Sequence, residues 1–133
     1  MIIGIGTDLV EIARIEAVLT RTANRFARKI LADAEWALFE QSSQPAAWLA
    51  KRWAAKEACA KALGTGVAQG ISLTHMQVFN DELGAPYLQL VDRALEVAQS
   101  KGINQWHLSL ADEQAYALAF VVMSRNPSVQ VQS

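Results

Sequence analysis

The segment from Pro45 to Gly64 constrains this chain more than any other. Proline is tolerated in the first turn of a helix, and glycine ends helices through left-handed backbone. Between them, Ala46 to Leu63 is alanine-rich and has no breaker, which predicts a helix. At about 100° per residue, Leu49, Trp53, Ala60 and Leu63 form an apolar stripe. Ala47, Ala50, Ala54, Ala58 and Ala62 cover the opposite side. Lys56 falls near the middle of the stripe, Arg52 at its edge, and Glu57 and Lys61 on the neighbouring flank. No broad polar face remains, so the helix is expected to be buried on most sides. Burying unpaired charge costs several kcal/mol, so these four side chains need partners. Two readings stay open. One is a cationic wall for phosphates, with Glu57 as a metal ligand. The other is a solvated edge with an ordinary Glu57–Lys61 pair one turn apart.

A chain of 133 residues favours one domain, and 52% hydrophobic residues suffice for a core. We expect that domain over residues 1–124 and a loose polar tail over 125–133. Ile2 to Thr7 reads as a buried strand, followed by a long helical pattern from Val10 to Gln41. Breaks are expected near Thr20–Ala23 and Ala32–Asp33. After the central helix, strands are predicted over Leu73–Phe79, Tyr87–Leu90, Trp106–Leu110 and Tyr116–Met123, with a helix over Val91–Lys101. This order implies an α+β (or α/β) domain, helices packed on a mainly antiparallel sheet.

The net charge of −1 argues against a polyanion binder as a whole, so any basic site must be local. One cysteine, Cys59, rules out an internal disulfide and fits a reducing compartment. The first residues lack a basic leader pattern, and no stretch approaches the ~20 apolar residues of a membrane span. A cytoplasmic protein without nucleic-acid or membrane partners is expected. His75 and His107 lack metal-ligand company, which suggests hydrogen bonding.

Asp8 ends the first predicted strand after Gly6-Thr7. A carboxylate there is an oxygen ligand of the kind Mg²⁺ takes, and Glu57 would be its second. The alternative is a helix N-cap. Arg14, Arg21, Arg25 and Arg28 fall at spacings of seven, four and three, within roughly 60° on a continuous helix. This is either a plain solvated face or a ridge for an acidic partner.

Gly4-Ile5-Gly6-Thr7-Asp8-Leu9-Val10-Glu11-Ile12, followed by Trp53-Ala54-Ala55-Lys56-Glu57-Ala58-Cys59-Ala60-Lys61-Ala62-Leu63-Gly64-Thr65-Gly66, resembles the holo-[acyl-carrier-protein] synthases. These are small bacterial 4′-phosphopantetheinyl transferases. Their pattern is a G-x-D element and a downstream W/F-x-x-K-E-x-x-x-K element. Asn80-Asp81-Glu82-Leu83-Gly84-Ala85-Pro86 and His107-Leu108-Ser109-Leu110-Ala111-Asp112-Glu113 resemble two further blocks.

The resemblance implies that coenzyme A donates its phosphopantetheine arm to a serine of an acidic acyl carrier protein. Adenosine 3′,5′-bisphosphate leaves. It further implies Asp8 and Glu57 as Mg²⁺ ligands and Lys61 as a phosphate contact that assists proton transfer. Arg52 and Lys56 would bind coenzyme A phosphates, with Gly64, Thr65 and Gly66 near the nucleotide. Carrier docking through Arg14, Arg21, Arg25 and Arg28, and a homotrimer with shared sites, complete the expectation. The base for the serine stays open between Glu57 and a metal-bound water. Some relatives carry histidine where Asp112 stands, and that role is not transferred. Two rivals are a nucleic-acid-binding module and a coenzyme-A-dependent acyltransferase. The first leaves Asp8 unexplained, and the second needs no metal.

Overall fold

A computed structural model describes residues 1–128. Strand β1 (Ile2–Glu11) leads into α1 (Ile12–Thr22), α2 (Arg25–Ile30), α3 (Asp33–Gln41) and the central α4 (Pro45–Leu63). A 3₁₀ turn (Leu73–His75) precedes the hairpin β2 (Met76–Asn80) and β3 (Pro86–Leu90). Then come α5 (Asp92–Ser100), β4 (Gln105–Asp112) and β5 (Tyr116–Ser124). Both sheets are antiparallel: β1-β5-β4 forms one, and β2-β3 the other. Trp106 Nε1 donates to Leu88 O at 2.9 Å and ties the two together. The α+β expectation holds.

The central helix starts at Pro45 and ends in the left-handed Gly64 (φ +82°), as its sequence predicts. It is buried by its own chain, without help from a neighbouring subunit. Leu49, Ala50, Ala54, Ala58, Ala60 and Leu63 are all core residues. Its closest neighbour is β1. A Cβ on Gly4 would lie 1.9 Å from Ala62 O, and one on Gly6 would lie 2.0 Å from Ala58 O. Two strand residues advance about 6.6 Å and four helix residues about 6.0 Å, so strand and helix stay in step across this seam. Only glycine permits an approach this close.

Two local expectations change, and the expected break near Thr20–Ala23 is found. β1 continues four residues past Thr7, because Asp8 to Glu11 pair with Ala119 to Tyr116 of β5. Leu73 to His75 form a 3₁₀ turn, where Ser72 accepts from Thr74 N and His75 Nδ1 accepts from Ser72 N. The arginine-bearing segment is two helices: Ala23, at φ 52°, breaks it between Thr22 and Arg25. At the expected tail, Arg125 N donates to Met1 O at 2.8 Å, and Asn126 N donates to Asn104 Oδ1 at 2.9 Å. Residues 129–133 of that tail lie outside the described residues.

Candidate active site

Side chains alternate along a strand, so Asp8 follows Gly4 and Gly6 on the face turned toward α4. The glycine seam brings that face against the helix, which presents Glu57 and Lys61 beside it. Lys61 Nζ donates to Asp8 Oδ1 at 3.1 Å and to Thr7 O at 2.9 Å. Asp8 and Glu57 line one cleft of about 370 Å³. Arg14, Ile15, Phe26 and Trp53 complete much of its wall, and the Phe26 and Trp53 rings lie 5.4 Å apart. Burial raises the proton affinity of Glu57, and the negative charge of Asp8 raises it further; Lys61 acts in the opposite sense. The two acids therefore feel each other.

This geometry removes two of the alternatives left open above. Asp8 is no N-cap, because the capping position of α1 belongs to Glu11. Lys61 takes Asp8 as its carboxylate partner instead of Glu57.

One expected phosphate ligand, Lys56, is corrected. Lys56 is fully buried, and its ammonium donates to Ile30 O at 2.8 Å, Glu35 Oε1 at 2.6 Å and Leu73 O at 3.1 Å. An ammonium has three protons, so none is left for a phosphate. Burial lowers its proton affinity, and Glu35 opposes that loss. Arg52 is also in the interior: its Nη2 donates to Asn80 Oδ1 at 2.9 Å, and its guanidinium lies 4.1 Å from the Trp48 ring centre. Neither side chain lines the Asp8–Glu57 cleft.

Glu35 is the buried partner of Lys56 that sequence reading missed. A buried lysine at position 56 demanded a carboxylate, but periodicity could not name which one. Gly64 and Gly66 both adopt left-handed backbone, at φ +82° and +61°, in the loop after Lys61. Arg14, Arg21, Arg25 and Arg28 are exposed; Arg14 reaches the cleft, and Arg28 stacks 3.5 Å from the Trp36 ring centre. Asp112 lies 3.8 Å from Lys51, beside a separate groove of about 710 Å³ shared with Glu16 and Glu113.

The donor set suits a hard divalent ion. Two carboxylates are oxygen ligands, and Mg²⁺ takes one or two carboxylates with the rest from phosphates and water. Among the described residues, no cluster of three or more His, Cys, Asp or Glu side chains offers a complete protein cage.

The family model for the 4′-phosphopantetheinyl transferase superfamily matches residues 4–121. The chain belongs to this family. It is 52% identical over 122 residues to the holo-[acyl-carrier-protein] synthase of Pectobacterium carotovorum, covering 92% of this chain and 97% of that protein. The crystal structure of the synthase from Neisseria meningitidis superposes with a TM-score of 0.88 at 40% identity, covering 94% of this chain and all of that one. The synthase from Bacillus anthracis, solved in complex with CoA (3′,5′-ADP), gives 0.79 at 33% identity, over 95% of this chain and 99% of that one. Asp8 and Glu57 both lie within the residues that the family model matches. No helix among the described residues is long and apolar enough to cross a membrane.

Proposed function

We infer that this protein transfers the 4′-phosphopantetheine arm of coenzyme A to a serine hydroxyl of an apo acyl carrier protein. The observation that carries the reading is the meeting of Asp8 and Glu57 in one cleft beside Lys61. The serine hydroxyl gives its proton to a base, its oxygen bonds to the β-phosphorus of coenzyme A, and the pyrophosphate bond breaks to release adenosine 3′,5′-bisphosphate. Such a transfer needs positioning and charge neutralisation more than covalent help.

Asp8 and Glu57 would hold Mg²⁺, which supplies charge neutralisation at the pyrophosphate oxygens when bound. Lys61 is half exposed, so its ammonium can turn from Asp8 to a phosphate oxygen. The Gly64-Thr65-Gly66 backbone, in the loop that follows α4, would border the nucleotide. Arg14 joins the cleft to the exposed arginines of α1 and α2, which supports docking of an acidic carrier there.

We further propose a homotrimer. The outer face of the larger sheet exposes Ile5 (59%), Leu9 (62%), Leu118 (43%) and Phe120 (42%) side by side. An apolar sheet face of this kind is normally covered by a partner. A single domain over 1–124 and a cytoplasmic location complete the reading.

The test is incubation of the protein with coenzyme A, Mg²⁺ and apo carrier protein. Mass spectrometry should show the carrier gaining one phosphopantetheine arm, and a chelator should stop the gain. A carrier of unchanged mass would overturn the reading. Acyl transfer without metal would support the acyltransferase instead.

A further inference from the structure

The proposed chemistry uses Asp8, Glu57 and Lys61 but gives the Lys56–Glu35 pair no task. Attraction alone does not explain such a pair, because desolvation offsets much of it and apolar residues of similar volume often pack as well. What the pair adds is direction. Lys56 reaches Ile30 O, the last residue of α2, and Leu73 O in the 3₁₀ turn before β2. Glu35 Oε1 accepts from Ala32 N at 3.0 Å, and Oε2 accepts from Val78 N of β2 at 3.0 Å. One buried point therefore ties α2, α3 and β2 to α4.

Its angular position on α4 matters. With Lys56 at zero, Glu57 and Lys61 stand at about 100° and 140°, and Ala58 and Ala62 at about 200° and 240°. The glycine seam holds the alanine side against β1. The ion pair holds the opposite side. The two side chains that face Asp8 lie between these anchors. Helix backbone against strand glycines, with no side chains interlocked between them, allows a helix to roll; a lysine with three fixed acceptors does not.

We propose that Lys56, acting through Glu35, is a positioning residue for the transfer. It sets the rotation of α4 that aims Glu57 and Lys61 at Asp8, and it couples that helix to α2, which carries Arg25 and Arg28. It touches no substrate. The inference rests on the function given above.

The experiment compares Lys56→Met, Glu35→Gln and the double variant in the full chain. Melting temperature, coenzyme A affinity by calorimetry, and kcat for transfer to apo carrier are measured well below each variant's Tm. Each single variant should melt lower, because it leaves one buried charge uncompensated. The double variant should regain part of the lost Tm: no buried charge is then stranded, although the Ile30 and Leu73 carbonyls lose their donor. Its kcat should stay down by about tenfold or more, the scale of a small misplacement of reacting groups. Its affinity for coenzyme A should stay within about twofold of the unmodified protein.

Recovery of kcat together with Tm in the double variant would make the pair purely structural and overturn the proposal. So would weakened coenzyme A binding with kcat retained, the signature of a phosphate ligand. If a single variant does not fold, the double variant carries both readings. Failure of the underlying function looks different: the unmodified protein would then transfer no arm at all.

Discussion

Lys56 and Lys61 stand on one helix, about one and a half turns apart, and meet opposite conditions. Lys56 is enclosed, with each of its three protons on a protein oxygen. Lys61 is half exposed and bonded to an acid at the rim of a cleft. The same residue type is locked in one place and free to exchange partners in the other. The first arrangement suits a structural anchor, because moving Lys56 would strand a buried charge. The second suits ligand contact, because Asp8 can be released to another cation and Lys61 to an anion at little cost.

The sharpest way to break this contrast is on the open side. Asp8→Ala or Glu57→Ala should lower arm transfer by about 10³-fold or more, with the fold intact by circular dichroism. Full activity in either variant would remove the metal assignment. Next comes stability. Lys56→Met should cost about 3–5 kcal/mol, the scale for stranding one buried partner. Lys61→Met should cost less than about 1 kcal/mol, as exposed pairs do. Chemical denaturation of both variants checks the difference, and equal losses would erase the distinction drawn here.

Charge reversal at Arg14 and Arg21 should raise the Michaelis constant for carrier by about tenfold and leave that for coenzyme A nearly unchanged. Equal rises would take docking away from α1. The smallest effect expected is a gain. The proton affinity of Glu57 is raised above its ordinary 4.5 by burial and by Asp8, so its ionised form opposes folding. The stability tied to its protonated form is present below that ordinary value and is lost as pH rises through the raised one. Glu57→Gln should therefore melt slightly higher at neutral pH with chelator present, and the gain should shrink as pH falls toward 4.5. A lower Tm at neutral pH would contradict this.

Much of the architecture was legible in advance because it is local. Pro45 and Gly64 mark the limits of α4 through proline's fixed φ and glycine's access to left-handed backbone. The break near Ala23 was visible in the arginine-bearing segment, and the α+β order followed from the alternation of patterns. The end of β1 was not legible. Asp8 to Glu11 are strand because β5 pairs with them, and no local propensity records that partner.

The site divides along the same line. Sequence alone presented Asp8, Glu57 and Lys61 as chemistry-bearing residues, since carboxylates and a lysine in those motifs fit a divalent ion and phosphates. It also announced that Lys56 and Arg52 were buried charges in need of partners. Which partner each one took was decided only when the chain closed. Helical periodicity gives a side chain's angle around its own axis, but the element lying at that angle depends on packing. Tertiary structure turned Lys61 toward Asp8 across a seam that only Gly4 and Gly6 could open, and enclosed Lys56 around Glu35.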